Sequence, residues 1–429
     1  MINRFMVFSV LLIAVLPVRA QQVAAPADFQ IVDGDRVVFY GDSITEQRLY
    51  TTDIEVFVLT RFPDRKVVFF HSGVGGDRVS GGKYGPIDQR LHRDVFDHQP
   101  TVVTIMLGMN DGFYRAFDPD IFQSYKTGYR SIVDAMQKQF PTARLTLLKP
   151  SPYDDVTRPD MLPGGYNKVL QQFGGFVGEL ATEKHGGVAD LNAPVVEALE
   201  NAKGKNTSME TLLIPDRVHP GPAIHWIMAE SVLKAWNAKP EVTFVRVDAG
   251  PKPTAQVSNT QVTDLSASGG RVRWTELDKA LPFPLGPFDT DPLLQLALSS
   301  SDLVSALDME TLRVTSLAPG IYKLRIDDKD VGVFPAEQLA SGVNLALLDT
   351  PMLVQSRRLG ADTMVKTTLD TQLFELGAKP QDEVLPATMK QLEAAQQRAV
   401  ARQREDAQPV PHRYEIMPSE TVAAGKHSK

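Results

Sequence analysis

Arg36-Val37-Val38-Phe39-Tyr40-Gly41-Asp42-Ser43-Ile44-Thr45 is the stretch on which the reading of this chain turns. Four apolar side chains follow one another without a polar break, and a turn of small residues then runs into a helical pattern predicted over 46–62. A strand apolar at successive positions is buried on both faces, as in a parallel sheet covered by helices. The same signature recurs at 66–70, 101–107 and 144–148, and more weakly at 188–191, with longer helical stretches between. From 31 to about 240 the chain thus reads as successive βαβ units, and in such sheets functional residues gather just beyond the C-terminal ends of the strands.

The full chain has 429 residues, enough for two or three domains. Hydrophobic residues make up 43% and charged residues 23%, the balance of a folded globular protein rather than a disordered one. With 45 Lys and Arg against 52 Asp and Glu the formal charge is −7, the wrong sign for a protein that gains affinity by neutralising phosphates, so nucleic acid is not an expected partner. There is no cysteine, which excludes thiolate catalysis, disulfides and Cys-ligated metals. At the N-terminus Arg4, an apolar run over 5–16 and the Val18-Arg19-Ala20 step read as an export signal at 1–20, cleaved after Ala20. The run is too short to span a bilayer, and no later stretch is long and apolar enough. The expected location is secreted or periplasmic.

Four segments sit at the expected strand ends. Gly41-Asp42-Ser43-Ile44-Thr45 lifts a serine hydroxyl to the sheet edge near a helix N-terminus, although Asp and Ser are also what helix caps use. His71-Ser72-Gly73-Val74-Gly75-Gly76-Asp77-Arg78 reads as a glycine loop whose N–H groups can approach a ligand, or as a plain turn. Gly108-Met109-Asn110-Asp111 brings a side-chain amide donor, or an Asn that serves its own turn. Asp216-Arg217-Val218-His219 precedes an amphipathic helix and sets a carboxylate three residues before a histidine, able to hold Nδ1–H while Nε2 takes a proton from serine. Singly each is weak; together, in this order, they make a complete acyl-transfer set.

These four blocks resemble the SGNH hydrolases, also called the GDSL esterase/lipase superfamily, and the resemblance covers 31 to about 240, roughly half the chain. It implies a three-layer α/β/α fold of flavodoxin-like type acting on carboxylic esters. By position it implies Ser43 as nucleophile, His219 as general base then acid, Asp216 as the residue orienting His219, and an oxyanion hole from the N–H groups of Ser43 and Gly76 with the amide of Asn110. Members commonly carry Asn two residues before the first glycine of the second block, where this chain has His71. That histidine is read as structural, with substrate contact as the alternative.

Other polar residues carry less. His225 lies within the helix beside core positions; Asp154 and Asp155 are read as a solvated turn, or as rim groups meeting substrate hydroxyls; Asp190 is read as a loop cap. Asn206-Thr207-Ser208 fits a glycosylation pattern, relevant only in a eukaryotic host. No metal-ligand spacing or phosphate loop is present, so neither metal nor cofactor is expected.

Beyond 240 apolar and polar residues alternate, as in half-exposed antiparallel strands, and 241–336 is expected to form a small β-rich module with a hairpin at Asp327-Asp328-Lys329-Asp330. The proline-stiffened stretch 281–288 is expected to pack between modules rather than wall a cleft. The region 337–429 is expected to be helical, with a solvated polar helix over 386–406 and a loose tail after Gln408. The resemblance, with the export signal and the added β module, implies an exported serine esterase with a C-terminal region, most simply removing acetyl groups from a carbohydrate. A lipase or thioesterase for longer acyl chains, or a non-catalytic carbohydrate-binding protein, are the competing functions.

Overall fold

A computed structural model of the chain describes residues 28–285, 291–377 and 385–419; the export segment read at 1–20 and the glycine-proline end of the 281–288 stretch lie outside them. The first half is built on five parallel strands, β1 (Arg36–Gly41), β2 (Val68–Gly73), β5 (Val102–Met106), β6 (Arg144–Lys149) and β7 (Gly187–Asp190), in the order β2-β1-β5-β6-β7. A two-residue ladder, β3 (Gly81–Gly82) with β4 (Gly85–Pro86), lies in the connection after β2. Val37, Val38, Phe39 and Tyr40 are buried, as expected of a strand covered on both faces. The helices α1 (Ser43–Glu46), α2 (Leu49–Arg61), α3 (Ile87–Asp94), α4 (Pro119–Gln139), α5 (Asn167–Glu183), α6 (Ala193–Ala202) and α7 (Pro222–Ala235) complete the layers, with α2 packed on α7 and α4 on α5. The α4 start follows from Asp118, whose side chain accepts from Asp120 and Ile121 N–H, with Pro119 at the first helical position. Tyr125, Tyr129, Ile132, Val133 and Met136 then form its inner stripe.

Two sequence boundaries move. The helix expected over 46–62 is two helices, because Arg48 adopts φ 57° and turns the chain between α1 and α2. The strand expected to end at Phe70 continues through His71, Ser72 and Gly73, which pair with Phe39, Tyr40 and Gly41. The glycine loop therefore begins only at Val74.

The second half carries two sheets. β8 (Glu241–Asp248), β9 (Thr254–Ser258), β10 (Thr260–Ser268) and β11 (Arg271–Asp278) precede the short helices α8 (Pro292–Leu298) and α9 (Leu303–Leu307). β12 (Met309–Thr315), β13 (Ile321–Ile326) and β14 (Lys329–Pro335) follow, then α10 (Ala336–Ser341), β15 (Val343–Asn344), α11 (Pro351–Gly377), α12 (Leu385–Asp406) and β16 (His412–Pro418). The sheets run β15-β12-β8-β9 and β10-β11-β16-β13-β14. The β13–β14 hairpin forms where expected, with Asp327 at φ 47° and Asp328 at φ 66°, the left-handed pair a two-residue turn requires. The tail after Gln408 is not loose as far as Ser419, the last described residue: β16 lies between β11 and β13, burying His412, Tyr414 and Ile416. Leu281 N–H donates to Thr60, and Phe283 packs edge-on against Phe57 and Trp226, so the described part of 281–288 joins the two halves.

The polar helix α12 is not simply solvated. It runs along α11 and buries Ala399 and Gln403, with Ala407 buried just past its end. The pair meets the edge of the parallel sheet through a buried ionic cluster: Lys366 Nζ lies 3.0 Å from Glu55 Oε2 and 3.0 Å from Asp370 Oδ2, and donates to the Phe69 carbonyl at 3.3 Å. Gln403 donates to Glu55 Oε1 at 3.1 Å. Burial would raise the Glu55 carboxyl, yet Lys366 and His71 outweigh it and bring it down to about 2. A charge so placed is tolerated only while its partner remains. Lys366→Met should therefore destabilise the fold by about 3–5 kcal/mol, read as a lowered midpoint in urea; an unchanged midpoint would show that the helix pair docks without this contact.

Candidate active site

Gly41 ends β1 and Asp42 caps α1, its Oδ1 accepting from Ile44 N–H at 3.0 Å. The capping and the reactive-serine readings of this segment thus fall on neighbouring residues: Asp42 caps, and the Ser43 side chain is left to face the sheet edge. Burial pushes the Asp42 carboxyl up to about 7. The end of β2 passes directly over α1, and a Cβ at Gly73 would collide with the Glu46 backbone nitrogen, so only glycine fits.

His219 reaches this serine from 176 residues away: its Nε2 is 2.8 Å from Ser43 Oγ. Its Nδ1 is 2.6 Å from Asp216 Oδ2, while Asp216 Oδ1 accepts from the N–H groups of Val218 (2.9 Å) and His219 (2.7 Å). Against burial, which raises it, the hydrogen bonds from His219 and Val218 hold the Asp216 carboxyl below its usual range. With Nδ1–H donating to a carboxylate, Nε2 carries the lone pair and accepts from the hydroxyl. The turn is fixed by Arg217, at φ 73°, whose guanidinium donates to the Asp154 and Pro159 carbonyls and whose carbonyl accepts from Asp154 N–H. His219 keeps 36% of its side chain exposed, so the pair is open to a substrate.

Two loops complete the surroundings. Gly76 takes φ +78° in the turn closed by Asp77 N–H to the Val74 carbonyl, and a Cβ there would meet nothing within 4 Å, so it is the left-handed backbone that asks for glycine. Among the described residues no acceptor meets the N–H of Gly76 or of Ser43. Asn110 is buried, donates one Nδ2–H to the Asp77 carbonyl at 3.1 Å and accepts at Oδ1 from the Tyr114 hydroxyl at 2.9 Å. That fixes which way the amide faces and leaves its second N–H free. Arg78 Nε donates to the Asn110 carbonyl at 3.1 Å, and Asp111 Oδ1 accepts from Val79 N–H at 3.0 Å, so the loops after β2 and β5 are joined by three bonds. Sequence reasoning missed Tyr114 and Arg78. Arg78 stands two residues after Gly76, but no spacing announces Tyr114. It also missed Arg90, fully buried and donating to Asp77 at 2.8 Å beneath the glycine turn.

The remaining candidates lie elsewhere. His71 is buried between Thr51 (2.8 Å at Nδ1) and Glu55 (3.1 Å at Nε2), so it braces β2 against α2 and has no access to substrate. Asp154 is neither solvated nor a rim group: it is buried and accepts from Val156 and Thr157 N–H, with Arg158 at 3.1 Å. Asp155 accepts from Asn167 N–H at 2.9 Å. Asp190 caps the loop leading into α6, accepting from Asn192 and Ala193 N–H.

Residues 39–227 match the model of the GDSL-like Lipase/Acylhydrolase family. This match, over less than half of the chain, supports a domain of the SGNH hydrolase superfamily of ester hydrolases at those residues. An acetylxylan esterase from Geobacillus stearothermophilus is 24% identical over 227 residues, which cover 48% of this chain and 95% of that protein. Among solved structures, BT4096, described as a gut microbial diltiazem-metabolizing enzyme, shares the fold with a TM-score of 0.79 at 24% identity, over 91% of this chain and 98% of that one. The structure of the acetylxylan esterase Axe2 from Geobacillus stearothermophilus matches at 22% identity with a TM-score of 0.41, over 48% of this chain and 96% of that one.

His225 is a buried structural histidine. Its Nδ1 accepts from Tyr50 N–H at 3.2 Å and its Nε2–H donates to Gln47 at 3.1 Å, and burial pushes its pKa down to about 3. The folded protein therefore refuses, between about pH 6.5 and 3, a proton that the unfolded chain accepts, and this contribution to stability is lost as pH falls through that window. Thermal midpoints of the wild type should decline over that range more steeply than those of His225→Gln; parallel curves would disprove the assignment.

Proposed function

We propose that the protein is an exported serine esterase that removes acetyl groups from a carbohydrate, with Ser43 as nucleophile, His219 as general base and acid, and Asp216 orienting His219. The observation that carries this is the 2.8 Å contact of His219 Nε2 with Ser43 Oγ, backed by the 2.6 Å contact of Nδ1 with Asp216. A serine hydroxyl is inert at its own pKa and needs such a base.

His219 Nε2 takes the Oγ proton as Oγ bonds to the ester carbonyl carbon. The carbonyl π electrons move onto oxygen, whose negative charge meets the N–H groups of Ser43 and Gly76 and the free Nδ2–H of Asn110. Collapse breaks the bond to the alcohol oxygen, which takes the proton from His219 and leaves as the alcohol. Water then attacks the acyl-serine by the same steps in reverse, giving the acid and restoring Ser43. All reacting protons pass through one imidazole.

Export is supported by the Arg4, apolar 5–16 and Ala20 pattern. Among the described residues no helix is long and apolar enough to cross a membrane. Acetyl transfer to water from a sugar ester is supported by the similarity to an acetylxylan esterase and is consistent with the proposed export.

Ser43→Ala should lower kcat on p-nitrophenyl acetate by at least about 10³-fold, and wild-type turnover in that variant would end the assignment. Asn110→Ala should cost about 10²–10³ in kcat with little change in KM, as expected for a donor that acts on the transition state. Across p-nitrophenyl esters of increasing chain length, preference for acetate supports a deacetylase. Preference for octanoate would make it a lipase, and no turnover would make it a binding protein.

A further inference from the structure

The oxyanion loops continue into a structure that the chemistry above does not use. Phe113, three residues after Asn110, is 49% exposed and takes φ 53°, and Tyr114 beside it takes φ 54°. Two consecutive aromatic residues in left-handed backbone are strained, and such strain persists only where the surroundings hold it. Here Tyr114 is held by its hydroxyl on Asn110 Oδ1, which leaves Phe113 projecting outward. Arg78 covers part of its ring, with the guanidinium carbon 4.3 Å from the ring centroid, and is itself tied to the Asn110 carbonyl.

Arg78 and Phe113 help line a cavity of about 680 Å³ whose other wall is the first half of α4. Apolar groups there, Val79, Ile121 and the ring of Phe113, are interspersed with Ser80, Gln123 and Thr127. The Asp111 carboxyl also lines it; its Oδ2 has no partner among the described residues. A half-exposed ring with Arg78 at 4.3 Å and Arg115 at 5.8 Å from its centroid, beside a cavity that has both apolar and hydrogen-bonding walls, suits a ligand with both an apolar face and a rim of hydroxyls. A pyranose has that anatomy, its axial C–H groups lying on a π face and its hydroxyls pointing outward. An extended acyl chain has no use for the polar groups.

We propose that Phe113, oriented by Arg78, is the specificity-determining platform on which the sugar ring of an acetylated pyranoside stacks while its ester lies at Ser43. This rests on the carbohydrate-esterase reading and names the residue that selects the alcohol half of the substrate. Phe113 touches the ring and not the reacting atoms, so it acts by holding the ester in register with the two loops to which it is attached.

The test compares kcat/KM for acetylated methyl β-xyloside with kcat/KM for ethyl acetate, which offers no ring, in the wild type, Phe113→Ala and Phe113→Trp. The ratio of the two constants comes from one preparation and does not depend on how much of a variant is folded. Loss of a stacking contact of ordinary strength lowers the ratio about tenfold in Phe113→Ala, and Phe113→Trp restores it. Wild-type turnover of both esters with a ratio unmoved in Phe113→Ala overturns the platform and leaves the esterase reading intact. Wild-type turnover of ethyl acetate with none of the xyloside overturns the carbohydrate reading itself, and the platform with it.

Discussion

A hydrogen bond between Ser43 and His219 needs two segments 176 residues apart to be fixed to within a fraction of an ångström. The parallel sheet makes this feasible, because every strand delivers its C-terminal end to the same edge. Closure across the sheet is made by α7 against α2. Tyr50 stacks on His225 with centroids 5.9 Å apart, and its N–H donates to the same imidazole. His225 stands six residues after His219 and Tyr50 seven after Ser43, so this buried contact sets the separation of the two half-buried groups. The histidine that does not face the cleft keeps in place the one that does.

How much of this was legible in the sequence depends on whether the signal was local. β1, β5 and β6 were readable because burial on both faces writes itself as consecutive apolar residues, and the Asp216-x-x-His219 turn because its partners are three residues apart. The extent of β2 was not, since His71, Ser72 and Gly73 are polar or small; they are in the strand because β1 offers them parallel partners and α2 supplies Thr51 and Glu55 to satisfy the imidazole. The β16 strand did carry a signal, the alternation of His412, Tyr414 and Ile416 with Arg413 and Glu415. Its place between β11 and β13 is a long-range pairing that no local pattern encodes. The inner face of α12 escaped notice because it is built of Ala399 and Gln403 rather than leucine.

The polar residues of the C-terminal helices likewise owe their places to long-range partners. Lys366 sits among Glu55, Asp370 and the Phe69 carbonyl at the edge of the parallel sheet, where an uncovered β2 would present unpaired backbone groups. A leucine there could bury surface but could not satisfy that carbonyl or neutralise Glu55. The ionic cluster therefore defines one docking position for α11, and Gln403 on α12 reads the other oxygen of the same Glu55. Burial of one carboxylate thus fixes two helices and, through His71, the strand that leads into the glycine turn.

That strand end carries an electrostatic difficulty. Asp42, Asp77 and Asp111 all lie beneath the place where, on the proposed chemistry, negative charge develops, and three carboxylates there would oppose it. The fold removes most of the conflict by two means. Burial pushes Asp42 and Asp111 up to about 7, which lets both hold a proton near neutrality while still accepting backbone N–H bonds at Ile44 and Val79. Burial also raises Asp77, but the fully buried Arg90 opposes that shift and supplies a positive charge to it and to Asp94. Each carboxyl organises a loop by its geometry, and its charge is either withheld by a proton or cancelled by a guanidinium. On the proposed chemistry, the N–H groups of Ser43, Gly76 and Asn110 would then act on a forming oxyanion against a weakened competing field.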